Sequence, residues 1–147
     1  MARRNGFTLI ETLIVLVVIG LVGLIAMPKF QQALAQSNIL SAKAKLMALY
    51  AKARATAAGS SQTAILRING NVAYVYARPR RKAGAGTIDT ITPVENIYNQ
   101  YGVTVSGGVD SVRVSPTGIG MDAASIILTK SGRTDTIFIS QYGRVLK

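Results

Sequence analysis

The sequence predicts an α+β protein, in which a long N-terminal helix, first apolar and then amphipathic, precedes a β-rich globular domain. Three observations carry the prediction. An uncharged run from Thr12 to Pro28 leads into an Ala-rich stretch, residues 31–58, that holds neither Gly nor Pro, so one helix can continue through both. After Gly59-Ser60-Ser61 the apolar residues alternate, which is the period of a strand. Gly, Pro, Asn and Ser clusters then separate the later apolar segments from one another, as turns do between short strands.

Composition narrows the function before any motif is considered. The 147 residues carry 17 Lys and Arg against 6 Asp and Glu, a formal charge of +11, which favours anionic partners such as phosphate backbones or acidic lipid surfaces. The chain holds no Cys and no His, so the common zinc ligand sets, Ser-His-Asp relays and thiol nucleophiles are excluded. The acids beyond the first segment, Asp89, Glu95, Asp110, Asp122 and Asp135, stand singly in the sequence. We therefore expect no enzyme, no metal and no cofactor.

The N-terminal segment comes first in the chain. Thr12 to Pro28 is 17 consecutive uncharged residues, and as a helix it is about 25 Å long. Adding Phe7 to Ile10 brings it to bilayer thickness. Its 11 Leu, Ile and Val residues favour insertion by about 0.3–0.6 kcal/mol each, which outweighs roughly 3 kcal/mol for one acid. Glu11 is therefore tolerated, yet its retention needs a reason. A plain single-span anchor accounts for the apolar run but not for the Gly6-Phe7 junction. A secretory signal would use Arg3 and Arg4 as its basic region and Ala33-Leu34-Ala35 as its cleavage site, leaving Gln36 as the new start, but Lys29 and Phe30 interrupt the approach.

Gly6-Phe7-Thr8-Leu9-Ile10-Glu11, followed by a long apolar helix and Pro28, resembles the processing signal of type IV pilins and type II secretion pseudopilins. The resemblance implies that a prepilin peptidase cleaves between Gly6 and Phe7 on the cytoplasmic face and that the new amino group of Phe7 is N-methylated. It also gives Glu11 a role in assembly, since its carboxylate would neutralise the Phe7 amine of a neighbouring subunit where water is scarce. Arg3 and Arg4 hold the leader on the cytoplasmic side, which places the remainder in the periplasm. On this reading residues 1–6 are the leader, 7–28 the inner-membrane helix, 29–58 its continuation and 59–147 the globular domain.

Within the continuation, Leu40, Ala44, Met47, Ala51 and Ala58 recur at helical steps and make a stripe that can pack on a sheet. Lys43, Lys45, Lys52 and Arg54 lie around the rest, as a solvated face or a phosphate-binding one. Gly59-Ser60-Ser61 ends the helix. TAILRIN and VAYVYAR alternate about Asn69-Gly70-Asn71, a hairpin signal. Residues 79–89, PRRKAGAGTID, read as an exposed loop carrying the densest charge, Arg80, Arg81 and Lys82. A short helix in PVENIYNQY opens on Thr92 as cap with Pro93 at its first position. GVTVS, SVRVS, SIILT and TIFIS complete the strands. Gly118-Ile119-Gly120-Met121-Asp122-Ala123 matches a dinucleotide motif in letters only, because a strand follows where a helix must start.

The segment from Val112 to Lys147, with its strand, Gly, paired strands and Gly-Arg ending, resembles the C-terminal half of the GspH/FimT group of minor pseudopilins and minor pilins. That resemblance implies a long helix packed on two antiparallel sheets and a structural subunit partnered by other pilins or pseudopilins, in protein secretion or on a pilus. Some FimT-like minor pilins capture DNA through a basic tail. Here the tail is Gly143-Arg144-Val145-Leu146-Lys147, with Leu146 where the group's second arginine stands. The alternative function is therefore DNA uptake, with Arg80, Arg81, Lys82, Arg133, Arg144 and Lys147 as candidate phosphate contacts at one end of the domain, and with Tyr74, Tyr76, Tyr98 and Tyr101 as stacking or half-buried groups.

Overall fold

The computed structural model describes residues 7–77, 89–108 and 110–146. Helix α1 runs from Leu9 to Ser60 with Pro28 inside it. The chain divides into two compact units, Met1–Leu34 and Ala35–Lys147, with α1 passing from one to the other. In the first unit every described side chain from Phe7 to Leu34 is exposed. Among the described residues, α1 is the one helix long and apolar enough to cross a membrane.

In the second unit α1 packs on two antiparallel sheets. The first sheet holds β1 (Ala64–Asn69), β2 (Val72–Ala77), β3 (Asp89–Thr90), β4 (Glu95–Asn96) and β6 (Ser111–Val114), ordered β3-β2-β1-β6 with β4 also on β2. The second holds β5 (Thr104–Gly107), β7 (Ala124–Lys130), β8 (Arg133–Ile139) and β9 (Val145–Leu146), ordered β5-β7-β8-β9. Helix α2 (Ile97–Tyr101) lies between β4 and β5 in sequence. One apolar cluster joins all three layers: Leu46, Leu49 and Tyr50 from α1, Leu66 and Val75 from the first sheet, and Ile126, Leu128 and Ile137 from the second.

The packing face of α1 departs from the predicted stripe by one position. The buried residues are Ala35, Ile39, Ala42, Lys43, Leu46, Leu49, Tyr50, Ala53 and Ala57, whereas Leu40, Ala44, Ala51 and Ala58 are exposed and Met47 is half-buried. Ala-rich sequence offers several apolar faces of similar hydrophobicity. The face holding Ile39, Leu46, Leu49 and Tyr50 removes far more apolar area from water than a stripe composed mostly of alanines.

Helix α1 ends within Gly59-Ser60-Ser61 as predicted, but the left-handed residue is a serine and not the glycine. The helix continues through Gly59, and Ser61 takes the left-handed conformation at φ 52°. The Gln62 N–H then returns to the Ala57 carbonyl at 3.2 Å, the bond that closes a Schellman end. Farther on, Thr92 is not a helix cap. It is buried, and its hydroxyl accepts from the Val75 N–H at 2.9 Å. Glu95 and Asn96 are drawn onto β2 as β4, so α2 starts later, with Asn96 as its cap and Gly102 in the left-handed position after it.

The predicted hairpin forms in register, Ala64 opposite Ala77 through Asn69 opposite Val72, with Gly70 at φ +56° in the turn. Gly118 and Gly120 lie in the turn between β6 and β7, and the latter bridges to Val114. No helix follows them, as the sequence pattern required.

Candidate functional site

The first site is the N-terminal turn of α1. Phe7 is 79% exposed and precedes the helix. The Thr8 hydroxyl accepts from the Glu11 N–H at 3.3 Å, and the Thr8 carbonyl accepts from the Thr12 N–H at 3.3 Å. Thr8 and Glu11 thus hold the Thr-x-x-Glu spacing of a capping box, and the Glu11 carboxylate sits in the first helical turn, where it complements the positive end of the helix dipole. The resemblance gives Glu11 an assembly role; the Thr8-x-x-Glu11 spacing, already present in the sequence, is the signal for this second, local one. Gly6 lies outside the described residues.

The second candidate surface is the set of basic groups, and folding sorts them. Lys43 is buried and its Nζ donates to Asp135 Oδ2 at 2.7 Å. Lys45 pairs with Glu95 at 3.1 Å, and Arg113 with Asp122 at 2.7 Å. Arg54 Nε donates to the Gly118 carbonyl at 2.9 Å. Of the four cations in the second part of α1, Lys43, Lys45, Lys52 and Arg54, three, Lys43, Lys45 and Arg54, hold the helix to the rest of the domain instead of lining a free face.

Each paired acid keeps its charge readily. The Lys43 hydrogen bond pulls the Asp135 carboxyl below its ordinary range. The Gln100 amide and then Lys45 do the same for Glu95, and Arg113 for Asp122. Lys52, Arg67 and Arg144 stay exposed without an acidic partner among the described residues.

Arg133 and Arg144 are not neighbours. Arg133 opens β8 and donates to Gln36 Oε1 at 3.1 Å. Arg144 follows the far end of that strand, where its carbonyl accepts from the Ser140 N–H at 2.8 Å. About 23 Å of strand separates the two levels. Arg80, Arg81, Lys82 and Lys147 lie outside the described residues. Tyr74 and Tyr76 share the outer face of β2 with ring centroids 6.1 Å apart, but Tyr76 is only 8% exposed. Tyr98 and Tyr101 belong to α2, Tyr98 exposed and Tyr101 packed on the core.

The Gly-Arg ending is built into the fold. Ser140 to Arg144 form a turn in which Gly143 has φ +79°, and Gly143 packs on Gly120 and on the Tyr50 hydroxyl. A Cβ on Gly143 would stand 2.8 Å from both the Gly120 nitrogen and the Tyr50 oxygen. Val145 and Leu146 then pair with Ile139 and Phe138 as β9. Among the described residues no group of three or more Asp and Glu could hold a metal ion.

Residues 1–27 match the family description "Prokaryotic N-terminal methylation motif". The folded chain is similar to the crystal structures of the type IV minor pilin FimU of Pseudomonas aeruginosa in two crystal forms. One shares 15% identity with a TM-score of 0.58, over 76% of this chain and 88% of that one. The other shares 16% with a TM-score of 0.54, over 73% and 90%. This is a type IV pilin-like fold behind a methylation motif. Among curated proteins none is a significant sequence match. The pilin-like fold accounts for the arrangement described above, a long helix whose second part is buried against two antiparallel sheets while its first part is left uncovered.

Proposed function

We propose that the chain is a minor pilin or pseudopilin, a structural and non-catalytic subunit of a type IV pilus or type II secretion machine. On this reading a prepilin peptidase cleaves between Gly6 and Phe7, Phe7 is N-methylated, and the helix holds the protein in the inner membrane with its globular domain in the periplasm until it joins a filament of other pilins. The observation that carries the reading is the uncovered apolar helix: every described side chain from Phe7 to Leu34 is exposed. That surface has to be met by lipid before assembly and by other helices after it. Glu11, at the start of the apolar run, supplies the counter-charge for the amine created by cleavage.

Mass spectrometry of the mature protein tests this directly. An N-methylated Phe7 terminus is expected, and a terminus at Gln36 would replace the reading with ordinary signal cleavage. Glu11→Gln is expected to leave membrane insertion intact and to abolish incorporation into the filament; normal incorporation would remove the assembly role.

DNA uptake is the second reading, supported by the surplus of positive charge once Glu95, Asp122 and Asp135 are each spent on a base. Because Arg133 and Arg144 stand at opposite ends of β8, binding would have to spread over the surface instead of focusing on the tail. It would be backbone-directed and strongly weakened by salt. Titration of the full chain in detergent with DNA across a salt series checks it, and no binding at low salt would sink it.

A further inference from the structure

The second sheet has an incompletely covered edge. Among the described residues β9 pairs only with Phe138 and Ile139 of β8, and no other described strand lies on that side of the stretch from Arg133 to Ile137. Backbone groups of alternate residues on a strand point to the same side. On β8 the Ser140 N–H donates to the Arg144 carbonyl, so Thr134, Thr136 and Phe138 also turn their N–H and C=O groups toward the β9 side. Phe138 has β9 there. Thr136 is capped locally, its N–H by Asp135 Oδ1 at 2.8 Å and its carbonyl by Lys43 Nζ at 3.5 Å. Thr134 has neither kind of partner among the described residues.

Beside Thr134 lies a cavity of about 350 Å³ lined by Gln36, Ile39, Leu40, Arg133, Thr134 and Asp135. Its wall includes Leu40, which is 54% exposed. The Asp135 carboxylate is already spent, one oxygen on Lys43 and the other on the Thr136 N–H. Arg133, whose described partner is the neutral Gln36, therefore leaves the cavity net positive. An open backbone donor and acceptor, an apolar wall and an unneutralised guanidinium meet within one groove.

We infer that this groove takes a short extended segment of a partner subunit, in line with β9, through backbone hydrogen bonds to Thr134 and with a carboxylate facing Arg133. Such pairing follows the rules of strand addition, in which the main chain supplies affinity and flanking side chains supply specificity. A second copy of this chain is a poor occupant. Three of its five acids beyond the helix, Glu95, Asp122 and Asp135, are already paired, and at a net charge of +11 two copies repel. The occupant is an acidic, β-forming segment of a different protein. The inference rests on the subunit reading, which the terminal mass of the mature protein tests by itself.

The test uses the full chain in detergent and a peptide carrying fluorescein on its N-terminus, fluorescein-Thr-Val-Thr-Asp-Val-Thr-amide, against the same labelled peptide with Lys in place of Asp. By fluorescence anisotropy the acidic peptide should bind at least ten-fold tighter, and Arg133→Glu should reverse the preference. Thr134→Pro removes the edge N–H without touching the β7 ladder, and should lower affinity at least ten-fold, whereas Thr134→Val keeps the N–H and should bind normally. Equal binding of the two peptides, no binding of either at millimolar concentration, or unchanged affinity in Thr134→Pro would overturn the proposal.

Discussion

Tyr50→Phe should stabilise the globular domain. Tyr50 is 2% exposed, in the middle of the face α1 presents to the sheets, and its hydroxyl is buried with no hydrogen-bond partner among the described residues. The reason is geometric. The hydroxyl points at the backbones of Gly120 and Gly143, each of which would place a Cβ within 3.0 Å of it, and the nearby Gly143 N–H is already committed to the Ser140 carbonyl at 2.8 Å. Burial alone pushes the phenol's pKa up, partly offset by Arg54. An unpaired buried hydroxyl costs about 1–3 kcal/mol. Removing one oxygen leaves a void of roughly 10 Å³, worth about 0.2 kcal/mol at the usual cavity coefficient. The net gain is therefore about 1–3 kcal/mol, or roughly 4–12 °C in the midpoint for a domain of this size. Thermal unfolding of the full chain in detergent, followed by near-UV circular dichroism of its 6 tyrosines, measures it. A loss of stability of 1 kcal/mol or more would show that the hydroxyl is satisfied and that the argument from its isolation is wrong.

Gly143→Ala should destabilise by about 2–5 kcal/mol, combining a left-handed non-glycine residue with overpacking against Gly120; in a Tyr50→Phe background the loss should shrink, which a double-mutant cycle in the same unfolding assay reads. Asn96→Ala removes the cap whose side chain accepts from the Asn99 N–H at 3.0 Å and should cost about 1 kcal/mol, again by unfolding midpoint. The Lys43–Asp135 pair makes stability depend on acid. The folded carboxyl titrates below its ordinary value, so the contribution is complete above the unfolded pKa of about 3.9 and is lost as pH falls through the lower folded one. Lys43→Met should flatten that part of the acid unfolding profile, and an unchanged profile would refute the linkage.

Much of the fold was legible because local chemistry and tertiary structure agree. Ala-rich sequence without breakers continues a helix, and Asn69-Gly70-Asn71 between alternating strands closes a hairpin. Where several solutions were locally equal, the sequence was silent. Residues 35–57 have several apolar faces, and only the sheets decide which is buried. Thr92 reads as a helix cap until the edge of β2 claims its hydroxyl and draws Glu95-Asn96 into a strand. The basic residues are the clearest case. Charge counting cannot distinguish Lys43, which is committed to Asp135, from Arg67, which is exposed, because the difference depends on a partner 92 positions away. The same limit applied to Gly143-Arg144. The glycine, read as part of a recognition tail, is required by a bend that rests on Tyr50 and Gly120.

Glu11 occupies two physical roles that a single substitution need not remove together. As the fourth residue of Thr8-Leu9-Ile10-Glu11 it sits at the capping-box position of α1, and as a carboxylate beside the cleavage point it is the proposed counter-charge for a neighbour's amine. Glutamine serves a capping box nearly as well as glutamate but carries no charge. Glu11→Gln therefore leaves helix initiation in place and removes only the ion pair, whereas Glu11→Ala removes both. If assembly depends on charge, the two variants should fail alike in filament incorporation, while the N-terminal turn, followed by amide exchange in detergent, frays only in the alanine variant. If assembly depends on a well-formed first turn, Glu11→Gln should assemble and Glu11→Ala should not. The comparison assigns the retained acid to the subunit contact or to the helix end, a choice that removing the whole side chain cannot make.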